Sequence, residues 1–457
     1  MNIYMHCEVS SRELDSKLLL AILAASRGHQ VIVSDQESII KGLVRKFLFP
    51  GIFHTKSLTP GKLKIEKHKK ITSTGCKITS IDEEGGLVDY KYDKFAKVRY
   101  SSQTLRQASA VFTWGSNDCG SLKKIYPNFS NKIYMTGSPR ADLWQPYFFN
   151  YWKRNEKEFK KPYLLVSSNF ISGLHIKPMY ERMKHFEVGG YLKRDPELLK
   201  IMWPRESEKC KLIALFIDAI KYLSSNNKKK YKIILRPHPT ENTKLWKIFL
   251  NGVPNVEIIK DDSISLWVNN SFAVMHHCCT TAFEGILAKK PVVSYVPFDS
   301  KFTKKLPRNI SLKIKTLKTL SRTINTIFNQ SKLKNKNNRN KAFPKIVKNK
   351  IYIDEKELAA SKIINVWEKL GDENLSRSNN WILFKLSLKI MKLNGILGGF
   401  FRKIMNNNFQ KRENFKFPPF NEKSVNEKIR KLQKVLGIRE QIDCQLLSDR
   451  TLLIKQK

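Results

Sequence analysis

The chain has 457 residues, which is too long for a single hydrophobic core and predicts two or more domains. Hydrophobic residues make up 41% of it and aromatic residues 11%, which excludes an intrinsically disordered protein. Lys and Arg number 84 against 40 Asp and Glu, so the formal net charge is +44. Such a charge indicates an anionic partner: a nucleic acid, a membrane surface or a phosphorylated substrate.

The positive charge is unevenly distributed along the chain. Residues 301–350 hold sixteen Lys or Arg and no Asp or Glu, although an alternative is simple composition, since solvated lysine is the ordinary case. We recognise neither a secretory signal nor a stretch of the ~18 apolar residues that a membrane span needs. The seven cysteines form no CxxC pair, so neither a zinc site nor a disulfide framework is indicated, and we expect a reduced, cytoplasmic protein.

Strand and helix patterns alternate from the start of the chain. Residues 2–7 predict a strand, Ser10 and Glu13 fit a helix capping box, and Gly28 ends that helix. Gln30–Ser34 predicts the next strand, so the chain opens with a βαβ unit and a parallel sheet. Further strands are predicted at 110–114 and 132–136.

A charged segment near 145–160 separates this unit from a second α/β pattern. The second pattern predicts strands at 163–167, 231–235, 256–259, 273–276 and 291–296, and helices at 206–223, 243–250, 264–268 and 281–289. We therefore predict an α/β fold with two Rossmann-like domains facing a cleft. The predicted domains are 1–150, 160–330, and a basic, mostly helical C-terminal extension at 331–457.

One helix of the extension, predicted at 381–393, carries two stripes of side chains at helical spacing. The lysine stripe is Lys385, Lys389 and Lys392, and the apolar stripe is Ile382, Leu383, Leu386 and Ile390. This pattern is typical of a helix that lies on an anionic bilayer surface. The alternative is an ordinary helix that packs its apolar face on the domains.

The most informative stretch of the second unit is an apolar strand that ends in Arg236-Pro237-His238-Pro239. Because proline has no N–H for the ladder, the strand stops at Leu235 or Arg236 and delivers Arg236 and His238 to its carboxyl end. Ligands bind at that edge of open α/β sheets, and a guanidinium beside an imidazole suits a phosphate or a carboxylate. The alternative is that both side chains only pair with neighbouring carboxylates.

A second polar turn of the same unit reads HHCCTTAFE and ends at Glu284. It combines His277 and the hydroxyls of Thr280 and Thr281 with the first N–H groups of a helix, which suits a pyrophosphate. The alternative is a capping box formed by Thr281 and Glu284. Since both turns lie at carboxyl ends of strands, we expect them to contribute to one site.

Two groups of polar and charged residues in the first unit are further candidates for a functional site. The turn TGSPRAD carries Ser138, Arg140 and Asp142, of which Arg140 and Asp142 either serve a ligand or pair with each other. The first strand–helix junction carries Glu8, Arg12, Glu13, Asp15 and Lys17. We expect a catalytic base for an acceptor hydroxyl here, with Glu8 and Asp15 as candidates, and Glu13 is the least favoured of the three if it is the capping residue.

Four segments in this order resemble the bacterial surface carbohydrate biosynthesis proteins, which belong to the GT-B glycosyltransferase-like enzymes. They are HCEVSSRELDSKLLLAILAASRGHQV, TGSPRADL, ILRPHP and CCTTAFEGILAKKPVVSY, with a late KFPPF at 416–420. The elements GSPRAD and RPHP are also similar to those of CDP-glycerol glycerophosphotransferases and of capsule Kdo and polysialic acid transferases. The resemblance covers roughly residues 1–300.

This resemblance implies a GT-B architecture whose first domain binds an acceptor and whose second domain binds a nucleotide-linked donor. The donor-binding residues it implies are Arg236, His238, His277, Thr280, Thr281 and Glu284, with Glu284 towards the ribose. The catalytic candidates are then Glu8, Asp15 and His238, and the acceptor side of the cleft holds Arg12, Ser138, Arg140 and Asp142. Such enzymes stabilise the departing nucleotide with cations and helix dipoles, so neither a metal nor a cofactor is expected.

We therefore expect a glycosyltransferase of capsule or O-antigen synthesis that moves a sugar from a nucleotide donor to a lipid-linked or glycan acceptor. Its basic C-terminal region would hold it at the inner face of the cytoplasmic membrane. The nearest alternative is a phosphotransferase that uses CDP-glycerol or CDP-ribitol. A nucleic-acid-binding protein would also explain the charge, but no RNP, zinc-finger, KH or helix-turn-helix signature is present. A non-catalytic scaffold of a polysaccharide assembly complex is the remaining alternative.

Overall fold

The computed structural model describes residues 1–88, 92–154, 161–170, 173–176, 179–188, 197–227, 229–303, 305–332, 343–371, 378–405 and 417–457. The chain divides into two compact units: Met1–Tyr151 with Lys345–Lys457, and Trp152–Pro344. Each unit contains a sheet of mostly or wholly parallel strands, which confirms the predicted α/β fold with two domains.

The first unit is built on an eight-stranded sheet in the described residues. Its strands are β1 (Asn2–His6), β2 (Gln30–Ser34), β3 (Ile52–Thr55), β4 (Lys77–Ile81), β5 (Ala108–Thr113), β6 (Ile133–Met135), β13 (Ile442–Ser448) and β14 (Thr451–Gln456). They are ordered β13-β14-β2-β1-β3-β4-β5-β6, with β1 to β6 parallel. Every residue of β1 is buried, as in a parallel strand covered on both faces.

Helices connect these strands and continue in the C-terminal part of the chain. The N-terminal helices are α1 (Ser10–Ala25), α2 (Gln36–Val44), α3 (Lys62–Thr72), α4 (Tyr92–Arg99), α5 (Ser102–Gln107), α6 (Ser116–Ile125), α7 (Pro139–Trp144) and α8 (Phe149–Trp152), with 3-10 turns at Pro127–Lys132 and Pro146–Phe148. The C-terminal helices are α16 (Lys345–Lys350), α17 (Ala359–Leu370), α18 (Trp381–Met405) and α19 (Glu422–Leu436).

The second unit holds a six-stranded parallel sheet in its described residues, ordered β12-β11-β10-β7-β8-β9. The strands are β7 (Tyr163–Ser167), β8 (Lys232–Arg236), β9 (Val256–Ile258), β10 (Ala273–His276), β11 (Val292–Tyr295) and β12 (Leu312–Ile314). The helices are α9 (Met179–Val188), α10 (Glu197–Asn226), α11 (Thr243–Phe249), α12 (Ile264–Asn270), α13 (Thr281–Leu287), α14 (Lys305–Asn309) and α15 (Leu317–Lys332).

The capping box predicted for the first helix does not form. Helix α1 begins at Ser10 with Val9 as its N-cap, and no side chain caps it. The carboxylate of Glu13 instead accepts the backbone N–H of Glu8 at 2.9 Å, one residue before the cap. Gly28 follows the helix at a φ of +81°, the left-handed conformation expected where a glycine ends a helix.

From Lys345 onward the chain returns to the first unit, so most of the predicted extension at 331–457 belongs to that unit and does not form a separate domain. Strand β14 pairs antiparallel with β2, and β13 pairs antiparallel with β14, which adds a hairpin to the N-terminal sheet. The mostly helical prediction missed this hairpin. Without it, β2 would leave an unpaired edge of backbone donors and acceptors beside the buried β1.

Helix α18 contains the predicted amphipathic segment but packs with a different face. Phe384 is fully buried and Leu388 is 5% exposed, and both belong to the core of the first unit. The predicted apolar stripe is exposed instead, with Ile382 82% exposed. The stripe is therefore not the face that packs on the domain. Among the described helices, none combines the length and apolar character required to cross a membrane.

Candidate functional site

The carboxyl edge of the six-stranded sheet brings the two predicted polar turns together. Strand β7 lies between β8 and β10, and its last residue, Ser167, pairs in register with both Arg236 and His276. The RPHP turn therefore leaves the sheet on one side of Ser167 and the HHCCTT turn leaves it on the other. Sequence reasoning placed both turns at strand ends but did not place β7 between them.

Arg236 is buried and braces the loop that follows β9. Its guanidinium donates to the backbone carbonyls of Asp261 and Asp262, so its partners are carbonyl groups rather than the neighbouring carboxylates expected in the alternative. Burial lowers the pKa of Arg236 to about 10, although Asp262, Asp261 and Glu284 oppose the change. At that pKa the side chain remains charged at neutral pH, so it provides a fixed cation at the sheet edge.

His238 is half-buried and is held in one ring orientation. Its Nδ1 accepts the backbone N–H of Thr240 at 3.3 Å and lies 3.0 Å from the Thr240 hydroxyl oxygen. Because Nδ1 acts as an acceptor, the proton of the neutral imidazole is assigned to Nε2. Thr240 therefore fixes both the tautomer and the orientation of this ring at the start of the turn.

Glu241 is fully buried and ties the RPHP turn to the segment that follows β7. Its carboxylate accepts from the Ser168 hydroxyl at 2.5 Å, from the Phe170 N–H at 2.6 Å and from the indole N–H of Trp246 at 2.9 Å. Burial raises the pKa of Glu241, and these donors limit the rise. Sequence reasoning did not identify Glu241, although a carboxylate two residues after the RPHP turn was a visible signal.

The two histidines of the second turn are buried and neutral. Burial lowers the pKa of both His276 and His277 to about 3. His276 accepts the N–H of Cys279 at 3.1 Å and lies 2.8 Å from the Ser311 hydroxyl. His277 stacks on Phe170, with ring centroids 4.8 Å apart, and its Nε2 lies 2.9 Å from Sγ of Cys278. His277 therefore fixes the turn from within.

The predicted capping box of the next helix does not form. Helix α13 begins at Thr281, its N-cap Thr280 makes no side-chain cap bond, and Glu284 accepts from the Ser265 hydroxyl at 2.6 Å. The Thr281 hydroxyl lies 3.2 Å from the hydroxyl of Ser167, the last residue of strand β7. Thr281 is thus in hydrogen-bond contact with the strand that lies between β8 and β10. Thr280 is partly exposed beside it.

The first unit gathers charged side chains at the carboxyl ends of three neighbouring strands. Glu8 follows β1, Lys56 follows β3 and Glu83 follows β4. Lys56 Nζ lies 2.5 Å from Glu8 Oε2 and 3.8 Å from Glu13 Oε1. Burial alone would raise the pKa of Glu13, but Lys56, the Glu8 N–H and Arg12 hold it below its ordinary value. Glu13, placed in a capping box by the sequence pattern, is thus an ionised, fully buried part of this edge.

A buried ion pair extends the same edge. Lys17 Nζ lies 3.3 Å from Glu83 Oε1, and their side chains are 1% and 5% exposed. Arg140 donates to the backbone carbonyl of Glu83 at 2.8 Å, and its guanidinium lies over the rings of Trp114 and Trp144. No sequence pattern identified Glu83, because its partners are distant in the chain.

The remaining candidates of the first unit have structural partners. Asp15 is bonded to the Tyr151 hydroxyl at 2.5 Å and to Lys428 Nζ at 2.6 Å. The Ser138 hydroxyl caps helix α7 by accepting the Arg140 N–H at 3.3 Å. Asp142 accepts backbone N–H groups at the start of helix α17, rather than the Arg140 side chain predicted as its alternative partner. Arg12 donates to Glu13 at 3.2 Å and to Glu84 at 3.4 Å.

Among the described residues, no group of three His, Cys, Asp or Glu side chains is arranged to hold a metal ion. No family model matches the chain, and no curated protein matches it. The second unit is thus defined by its own geometry, as a parallel α/β unit whose polar turns meet at the carboxyl edge of the sheet.

Solved structures with a similar fold include the Methanocaldococcus jannaschii UDP-GlcNAc 2-epimerase in complex with UDP-GlcNAc and UDP. It shares 14% identity with a TM-score of 0.46, over 81% of this chain and 100% of that chain. The S. aureus MnaA–UDP co-structure shares 12% identity with a TM-score of 0.44, over 82% and 97%. The wall teichoic acid polymerase TagF with CDPG shares 10% identity with a TM-score of 0.40, over 70% and 71%.

Proposed function

We propose that the chain is a glycosyltransferase whose second unit binds a nucleotide-linked sugar at the carboxyl edge of its sheet. The observation that supports this most strongly is the register of Ser167 with both Arg236 and His276, which joins the two polar turns at one edge. Ligands of parallel α/β sheets bind at this edge. The ordered motif resemblance of the same two turns to surface carbohydrate biosynthesis proteins supplies the substrate class.

The donor pyrophosphate would lie against the RPHP turn. Arg236 supplies a charge held in place by two backbone carbonyls, and His238 supplies the Nε2–H donor of a ring fixed by Thr240. When the bond from the sugar C1 to the phosphate oxygen breaks, the electron pair leaves with the nucleotide. Fixed donors aimed at that developing charge lower the barrier. Thr280, partly exposed beside this edge, would add a hydroxyl donor.

The proton of the acceptor hydroxyl would pass to Glu8. Its side chain is 38% exposed and lies at the carboxyl end of β1, where Lys56 keeps it in place. Asp15, the other sequence candidate, is only 5% exposed and already accepts from Tyr151 and Lys428, which makes it the poorer base. A general base must reach the proton that it removes, and Glu8 meets this condition better.

A thermal-shift panel of UDP, GDP, CMP, CDP and their sugar derivatives tests the donor site, because a ligand that binds only the folded state raises the melting temperature. We expect one nucleotide to raise it. The variant His238→Ala should weaken the binding of that nucleotide by roughly tenfold or more, because a hydrogen bond to a charged phosphate is lost. The control His29→Ala removes a histidine of the first unit that pairs with Glu368. Unchanged binding and transfer in His238→Ala would reject the assignment.

Transfer of a polyol phosphate from a CDP-polyol remains the second candidate, because GSPRAD and RPHP are also similar to CDP-glycerol glycerophosphotransferases. Release of UDP or GDP together with a glycosylated product supports sugar transfer. Release of CMP with a phosphodiester product supports the polyol reaction instead. CMP is also released from CMP-activated acid sugars, so the product itself must be identified by mass spectrometry.

A further inference from the structure

Helix α18 presents a row of large apolar side chains to solvent. Ile382 is 82% exposed, Leu386 52% and Leu393 59%, and Leu383 and Ile390 lie beside them at 41% and 43%. At 3.6 residues per turn, positions 382, 386, 390 and 393 succeed one another along one side of a helix. We call these five residues the exposed apolar face. Single exposed apolar residues are ordinary, whereas a contiguous row of them marks an interaction surface.

The same helix is anchored to the first unit by its opposite side. Phe384 is fully buried in the core, Leu388 is 5% exposed, and the Ser387 hydroxyl is bonded to the Phe384 carbonyl. The hairpin β13–β14 is tied to the helix by an ion pair of Lys392 with Asp449 at 3.3 Å. The exposed apolar face is therefore held outward by packing on the other side of the helix, and the helix cannot rotate to bury it without losing Phe384.

The lysine stripe borders the exposed apolar face on one flank. At 100° per residue, Lys385, Lys389 and Lys392 fall between the packed side and the apolar side of the helix. Lys392 remains 61% exposed although it pairs with Asp449. Lysine stems lie along apolar surface while their ammonium groups reach outward, so this flank suits negative charge at the rim of an apolar contact.

We propose that the exposed apolar face and the lysine stripe dock the protein on an anionic membrane surface. An apolar face with a cationic border is the arrangement by which a helix lies in the headgroup region of a bilayer. The formal charge of +44 adds attraction to anionic lipid and none to a second copy of this chain, which carries the same charge. Docking through this helix does not depend on the donor chemistry of the second unit.

Sedimentation of the full chain with vesicles tests this docking. Vesicles of phosphatidylcholine with roughly 30% phosphatidylglycerol should bind the protein and pure phosphatidylcholine vesicles should bind it weakly, because only the former carry surface charge. Binding should persist in part at roughly 0.5 M salt, where charge attraction is screened and apolar contact is not. Salt that removes all binding would assign the association to net charge and overturn the role of the apolar face.

The decisive variant leaves the charge unchanged. Ile382→Ser with Leu386→Ser and Leu393→Ser should weaken vesicle binding by at least about tenfold and remove the salt-resistant part. The matched control replaces three apolar residues of similar exposure elsewhere by Ser: Leu63, Val98 and Ile248. Because all six side chains are exposed, both proteins should keep the melting temperature of the parent chain. Equal vesicle binding by the two triple variants would overturn the proposal.

A charge-reversal pair tests the lysine stripe separately. The double variant Lys385→Glu with Lys389→Glu should reduce binding to anionic vesicles more than Lys69→Glu with Lys70→Glu. The second pair changes the net charge by the same amount at exposed positions of helix α3. Equal losses in the two pairs would show that the stripe has no local role. Light scattering without lipid completes the test: a dimer that the triple Ser variant abolishes would identify a second copy as the partner and overturn membrane docking.

Discussion

The carboxylate of Asp142 caps a helix that begins more than two hundred residues later, with its Oδ2 accepting the backbone N–H of Ala360 at 2.9 Å. Its Oδ1 accepts the N–H of Ala359 at 3.1 Å. The first N–H groups of a helix have no partner within the helix, and both of these are buried. A turn of the N-terminal half thus fixes the start of helix α17, which lies in the part of the chain that returns to the first unit.

Replacement of Asp142 by Ala should destabilise the first unit by about 2 kcal/mol or more, because a cap is lost and buried donors are left without an acceptor. Asp35→Ala is the matched control, since Asp35 caps helix α2 in a less buried position by accepting from Ser38 at 2.9 Å. The control should cost about 1 kcal/mol. Urea denaturation followed by tryptophan fluorescence measures both. Equal losses would contradict the special role of the buried cap.

The same carboxyl group should give the first unit a distinctive pH dependence. Burial raises the pKa of Asp142 to about 7, while the Ala360 and Ala359 N–H groups limit the rise. In the unfolded chain the group titrates near ~3.9, so the folded state holds a proton that the unfolded state has lost between those values. The contribution of Asp142 to stability is therefore full below about pH 4 and is lost as the pH rises through about 7.

Comparison with Asp142→Asn isolates this effect, since other titrating groups are shared by both proteins. The free energy of unfolding of the parent chain, relative to the variant, should fall between about pH 4 and about pH 7.5. The amide cannot titrate and keeps one oxygen acceptor. A difference between the two proteins that is constant over this range would show that the pKa of Asp142 is not raised.

These contacts also show which parts of the site were predictable from the sequence. Strands such as Tyr163–Ser167 and Ala273–His276 were predicted with their observed bounds, because short apolar runs end there in polar turns. The partners of the turn residues were not predictable. Arg140 and Asp142 are two residues apart, yet they bind Glu83 and the start of helix α17, which are distant in sequence and close only in the fold.

The capping box predicted at Thr281 and Glu284 fails for the same reason. Thr281 and Glu284 have the spacing of a capping box, but Ser265 of the neighbouring helix α12 lies 2.6 Å from the Glu284 carboxylate. The Ser265 hydroxyl therefore donates to Glu284 in place of the backbone N–H at the start of the helix. The hairpin β13–β14 was missed because its first strand is only partly buried and its apolar alternation is weak, so pairing with β2 rather than local pattern decides its structure.

Glu241 should be essential to the conformation of the turns at the carboxyl edge of the six-stranded sheet. Glu241→Ala removes the acceptor of three buried donors, so the free energy of unfolding should fall by about 3 kcal/mol. The variant should not bind nucleotide at concentrations that saturate the parent chain. Glu257→Ala is the control, because the Glu257 side chain is 45% exposed and forms an ion pair with Lys232 on strand β8. The control should lose at most about 1 kcal/mol and bind nucleotide normally. Melting temperature with and without nucleotide gives both readouts.

Arg236 and His238 should differ in what their substitution changes. Arg236→Lys cannot keep both bonds to the carbonyls of Asp261 and Asp262, since a lysine lacks the planar fork, so stability and nucleotide binding should fall together. The stability loss should be about 1 to 3 kcal/mol. His238→Ala should weaken binding with a smaller stability loss. Arg322→Lys, on an exposed site of the same unit, controls for the exchange of side chains and should change neither.

The turn that carries Ser138 and Arg140 should tolerate no side chain at its glycine. Gly137 has a φ of +84°, and a Cβ there would lie 2.5 Å from the backbone oxygen of Tyr352. Gly437, at a φ of +66°, has no atom within 4 Å of such a Cβ. Gly437→Ala should therefore cost only the backbone strain, about 1 kcal/mol, whereas Gly137→Ala should cost about 2 to 4 kcal/mol because Tyr352 must also move. Urea denaturation distinguishes the two, and equal losses would show that the segment at Tyr352 yields without resistance.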